Sequence, residues 1–191
     1  MKDMDKQIQR IKEKAKRYYL RRSRSGTHLL RPLPEASVVA FEEKYGVRLP
    51  EEYRRFSLEI GNGIATPYPG AGDVFGLTIR SFQGYRRQVM AHWKNLHKPF
   101  PFTQTLVWEG VDLPAEDLAR VERLDHGNLL LMDEGCCQTW HLIVTGPERG
   151  NMWNMCEVGI APIEPRRDFL TWFEQWLDGD RDWWGPPWIP S

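Results

Sequence analysis

Five histidines, three cysteines and several carboxylate clusters are the residues of this chain with chemistry to offer. Cys136 and His141 come nearest to a nucleophile with its base, and a hydrolase needs such a pair with a third, orienting group. They stand five positions apart in a stretch with strand character, and alternation puts such residues on opposite faces of a regular strand. Only a turn at Gly135 or a bulge would bring them together, and no Gly-x-Ser-x-Gly element offers a serine instead. His92 and His97 fit one helix face poorly, and His-Glu-x-x-His is absent. Asp133 and Glu134 are neighbouring carboxylates in a Gly-bearing turn, the usual place for solvated acids. Asp178, Asp180 and Asp182 alternate as in a calcium loop but lack the rest of that pattern. Gly70-Ala71-Gly72 has neither the later Gly, the Lys-Ser/Thr pair nor the preceding strand of a phosphate loop. The chain therefore reads as non-catalytic, with no metal and no cofactor.

Composition narrows the class further. Hydrophobic residues make up 41% and aromatics 12% of 191 residues, which suits one globular domain with a sizeable core. Cys136, Cys137 and Cys156 are odd in number and form no Cys-x-x-Cys, against a disulfide framework or zinc knuckle and in favour of reduced thiols in the cytoplasm. The N-terminus has no apolar segment of a secretory signal, and no apolar run approaches membrane-spanning length. Net charge is zero but divided: residues 1–31 hold eleven Lys/Arg against three acids, a balance of +8, and residues 32–191 hold 15 against 23, a balance of −8. A basic segment on an acidic body does not suit a nucleic-acid-binding domain; such a body attracts a basic partner.

The elements that must position these residues follow from periodicity. Met4, Ile8, Ile11, Ala15 and Tyr18 make an apolar stripe on an otherwise charged helix over residues 1–22, which docks on the body or frays. A linker follows at Arg22–Thr27. Pro34–Tyr45 reads as a helix ended by Gly46, and Pro50 opens another with Tyr53, Phe56 and Ile60 inward. Gly61 is expected in the left-handed position, Asn62-Gly63 in a turn, and 64–72 in a loop. Asp73–Ile79 and Thr103–Glu109 read as strands. Phe82–Leu96 reads as a helix, as does 112–125, started by Asp112 or Pro114 with Leu118, Val121 and Leu124 inward. The densest β-signal is Gly127–Trp153, an antiparallel meander of Asn128–Met132, Thr139–Thr145 and Asn151–Cys156. Its turns are Asp133-Glu134-Gly135 and Gly146–Gly150. Pro162 and Pro165 interrupt, and Asp168 then caps a final helix that Gly179 ends. All nine Trp lie in the last hundred residues, and Trp153 and Trp172 are expected in the core.

These pieces stand in a specific order. Phe41 with Leu49–Gly63, Gly127–Cys136, Leu142–Trp153 and Phe169–Leu177 together resemble the SUKH superfamily, also called the Smi/Knr-type family. The resemblance implies an α+β fold with a curved, mostly antiparallel sheet packed against helices. It implies no catalytic residues, and its motif positions here, Gly61, Asn62, Gly63, Gly135, Cys136, Gly146, Trp153 and Trp172, are structural. Bacterial members of such a family are mainly immunity proteins that bind a polymorphic toxin's effector domain; fungal relatives regulate cell-wall signalling. Residues 1–30 form a basic helix and linker outside the resemblance, 31–179 the α+β domain, and 180–191 a Trp/Pro-rich tail packed on it.

The expected function is stoichiometric binding and neutralisation of a toxin domain with a basic surface, a nuclease being the class that fits. The acidic candidates for the contact are Glu109, Asp112, Glu116, Asp117, Asp133 and Glu134. The alternatives are a regulatory or scaffolding interaction module and nucleic-acid binding through the basic N-terminal helix. No membrane partner is expected, and the oligomeric state stays open.

Overall fold

The structure, a computed structural model, describes residues 2–22, 26, 28–65, 73–74, 93–135 and 138–179. The expected strand beyond Val74, most of the expected helix at 82–96, the 64–72 loop beyond Ala65, Cys136, Cys137, His92 and the tail from 180 lie outside these residues.

Local signals set the helix ends. The first helix, α1 (Lys2–Arg22), carries Ile8, Ile11, Ala15 and Tyr19 at spacings of 3 and 4, and all four are buried. Pro34 and Pro50 precede α2 (Glu35–Tyr45) and α3 (Glu51–Glu59), where a missing N–H costs nothing. Gly46 ends α2 at φ 64° and bonds back to the carbonyls of Glu42 and Glu43. The short α4 (Ala115–Val121) follows Pro114. The last helix, α5 (Phe169–Asp178), opens on Asp168, whose carboxylate accepts from the Thr171 N–H at 2.8 Å, and closes on Gly179.

The strands are β1 (His28–Leu29), β2 (Ile64–Ala65), β3 (Asp73–Val74), β4 (Leu106–Val107), β5 (Asn128–Gly135), β6 (Gln138–Ile143), β7 (Met152–Cys156) and β8 (Gly159–Pro162). Six of them form a sheet in the order β3-β5-β6-β7-β8-β4, with every neighbouring pair antiparallel, and β1 pairs with β2 alone. The fold is α+β.

The meander is where the Gly turns placed it, with differences at its ends. Asp133-Glu134-Gly135 is not a turn but the end of β5, which pairs through Gly135↔Gln138 across two register shifts. A bulge lets a strand continue through residues that read as turn formers. Residues 159–162 are a strand despite Pro162, which pairs with Trp153 and lies past the part of β8 that β4 covers, so its missing N–H breaks no ladder bond there. The loop expected from residue 64 begins as β2.

Both faces of the sheet are covered. Trp140, Leu142 and Met152 point into the main core with the stripes of α1, α3 and α5. Ile143, Trp153, Met155 and Ile160 point the other way, into a smaller cluster closed by Phe100 and Phe102. Burial on both faces explains why these strands read as continuous apolar runs rather than alternating ones. On α5, Phe169, Leu170, Trp172 and Phe173 are each 0% exposed.

Candidate interaction surface

Three cations of the basic N-terminal helix, Arg10, Lys12 and Lys14, pair with carboxylates of the body. Arg10 donates to both oxygens of Glu174, at 2.7 and 2.8 Å, and Lys14 bridges Glu174 at 2.9 Å and Asp178 at 2.6 Å. Lys12 reaches Glu59 at 3.1 Å, and Asp5 takes Arg55 at 2.6 Å. The Arg10 hydrogen bond holds the Glu174 carboxyl below the ordinary carboxylate pKa, and Arg55 does the same for Glu59. Here α1 docks by its apolar stripe, and its cations at 10, 12 and 14 lock it onto α5 and α3.

Cys136 lies outside the described residues, and His141 is held by partners of its own. Asn128 donates its amide N–H groups to the carbonyls of Leu124 and His126, at 2.7 and 2.9 Å, which turns its Oδ1 toward His141. His141 Nδ1–H donates to that oxygen at 2.7 Å, and Nε2 faces the Thr139 hydroxyl at 2.9 Å. The order hydroxyl, imidazole, amide is that of a nucleophile, base and orienter. His141 is nevertheless 2% exposed, so no substrate reaches the ring. The bonds tie the loop after α4 to the sheet. Among the described residues no group of three His, Cys, Asp or Glu is placed to hold a metal ion.

The structural positions divide. Trp153 and Trp172 are 0% exposed. Gly63 has φ 85° and Gly146 φ 115°, the left-handed region that glycine tolerates. Gly61, expected there too, is required for a different reason: a Cβ would meet the Leu30 carbonyl oxygen and the Leu29 side chain at 2.7 Å. Asn62 is buried, and its N–H donates to the Leu30 carbonyl. Gly135 ends β5, and Cys136 lies outside the described residues.

The six acidic candidates also divide. Asp133 is buried at 9% exposure in β5, between β3 and β6, so it offers a partner little. The Glu134 side chain lies outside the described residues. Glu109, Asp112, Glu116 and Asp117 are brought together by one segment running from the end of β4 through α4. Glu109, Asp112 and Glu116 are exposed and Asp117 is half-buried. With Glu122 they make five carboxylates, against Arg120, which Glu116 and Asp117 already bind, the latter at 3.2 Å, and the exposed Arg123 next to Glu122.

Sequence reasoning missed the apolar part of this surface. Leu118 was expected inward, but no residue of α4 is buried, and Leu118 is 52% exposed. Val111 is 55% exposed. Of three strongly exposed large hydrophobic residues among the described ones, two lie in this acidic segment. Leu118, Val121 and Leu124 at helical spacing read as a core stripe, but only Leu124 packs on the smaller cluster while Leu118 is left in solvent, and nothing local reveals where the cover stops.

A family model described as the SMI1 / KNR4 family (SUKH-1) matches residues 32–179, a span that runs from just after β1 to the end of α5. Comparison with curated proteins and with solved structures gave no match. No helix among the described residues is long and apolar enough to cross a membrane. A match over more than half of the chain, together with the α+β architecture it accompanies, establishes that this chain belongs to the SMI1 / KNR4 (SUKH-1) family.

Proposed function

We propose that the protein is an immunity protein that neutralises a polymorphic toxin's effector domain by stoichiometric binding, without catalysis. The observation that carries this reading is the segment 109–122, where exposed Val111 and Leu118 sit among five carboxylates. Exposed apolar anchors with a polar rim are the anatomy of a protein-binding patch. The sign of the rim suits a basic partner, and a nuclease domain with a basic substrate cleft is the class it fits. Complementary charge raises the association rate and makes it salt-sensitive. A specific complex buries about 1,600 Å² in total, so the patch is the centre of a larger contact.

Family membership supports the reading, since such folds serve as binding modules rather than enzymes. Co-expression with an effector domain captured by co-purification, or encoded by a neighbouring gene, tests it. Growth should be restored by the wild-type chain and not by Leu118→Arg, whose thermal stability should match wild type because the side chain is exposed. A neighbouring partner that is harmless when expressed alone, or full protection by Leu118→Arg, refutes it.

A further inference from the structure

The surface on the opposite side of the charge balance has its own cleft. A cavity of about 400 Å³ opens between α1 and β1, with Ala15, Tyr19, Leu29 and Ile60 as its apolar lining and Lys12, Lys16 and His28 at its polar positions. A second cavity, of about 440 Å³, runs along the extended segment 28–34 and adds Leu30, Arg31, Leu33 and two prolines. The two meet at His28 and Leu29. Among the described residues no acidic residue lines either one. Lys12 is held by Glu59, whereas Lys16 and Arg31 make no ion pair among the described residues. Leu20, at the edge of the first cavity, is 67% exposed.

The backbone adds a second feature. Leu30 gives its N–H to the Gly63 carbonyl at 2.9 Å and takes the Asn62 N–H at 3.1 Å. Hydrogen-bonded and non-bonded pairs alternate along an antiparallel ladder, so the Leu29↔Ile64 pair leaves the Leu29 N–H and C=O turned away from β2. A strand edge with pockets for side chains beside it is the arrangement that takes an added peptide strand.

We propose that this cleft is a docking site for an extended acidic peptide segment of a protein partner, which lays aliphatic side chains on Leu20 and Leu29 and sets its carboxylates against Lys16, Arg31 and His28. The site is separate from the acidic segment 109–122 and opposite to it in sign. Single-stranded nucleic acid would meet the same cations. It needs exposed aromatic faces to stack its bases, however, and among the described residues lining the cleft the one aromatic side chain, Tyr19, is 9% exposed.

The test is a titration of the ¹⁵N-labelled full chain with a ten-residue peptide of alternating Glu and Leu. A Lys/Leu peptide of the same length and a thymidine decanucleotide serve as comparisons. The acidic peptide should shift the amide signals of Lys16, His28, Leu29 and Leu30 and slow hydrogen exchange at Leu29. Lys16→Glu, at an exposed position, should weaken binding about tenfold by placing like charge against the peptide. Leu118→Arg should leave the titration unchanged, so the two surfaces succeed or fail independently. Equal binding by the Lys/Leu peptide, stronger shifts from the oligonucleotide, shifts confined to other regions, or no loss in Lys16→Glu would each overturn the proposal.

Discussion

Glu174→Gln removes the carboxylate that joins α5 to α1 while keeping its shape. Glu174 is 11% exposed in its side chain and is met by Arg10 at 2.7 Å and Lys14 at 2.9 Å; Arg10 is 54% exposed and Lys14 32%. Hydrogen bonds to a charged group contribute about 1.5–3 kcal/mol when shielded, and the exposure of the cations pulls this toward the lower end, about 1–2 kcal/mol. The loss is limited because both cations rehydrate, and Lys14 keeps Asp178. Replacing Arg10 and Lys14 together by Gln strands the shielded carboxylate instead, which costs more, about 2–4 kcal/mol. The Arg10 hydrogen bond lowers the Glu174 pKa in the folded protein, so the stability it adds is present above the unfolded carboxylate value, about 4.3, and fades as pH falls through the folded value. Urea unfolding of wild type, Glu174→Gln and the double variant between pH 7 and pH 3.5 reads all of this. The gap between wild type and Glu174→Gln should be constant from pH 7 to 5 and shrink below about 4.3. A gap independent of pH, or a double variant no worse than Glu174→Gln, would refute the assignment of this contact as what locks α1 in place.

Two further outcomes follow from packing and capping. Trp153→Ala should lose about 3–5 kcal/mol in urea unfolding, since the ring is 0% exposed and lies edge-on to Phe100 at 5.0 Å; a loss under about 1 kcal/mol would remove it from the core. Asp168→Ala should lower stability by about 1 kcal/mol, whereas Asp168→Asn should largely restore it, because the cap needs an oxygen acceptor for the Thr171 N–H rather than a charge.

Motif and geometry met differently at different places. Strand alternation argues against pairing Cys136 with His141; Cys136 lies outside the described residues, and His141 bonds Asn128 and Thr139. Asn128 lies thirteen positions from His141 and comes opposite Ile143 only through the β5–β6 register, which no local pattern states. Four of the six acidic candidates lie on one segment because they are close in the chain. Asp133 falls away because its strand runs on into the sheet.

What the sequence determined by itself were the features set within a few residues: Pro34 and Gly46 around α2, Pro50 before α3, Asp168 and Gly179 around α5, and the Gly146–Gly150 turn of the meander. Caps and turns satisfy backbone groups locally, so their residue types carry the signal. Tertiary structure alone decided which apolar stripes found a partner. Ile8, Ile11 and Ala15 of α1 are covered, while Leu118 of α4, with the same periodicity, is left in solvent among carboxylates. Periodicity says that a face is apolar; only the packing of distant elements says whether that face is core or is kept for another molecule.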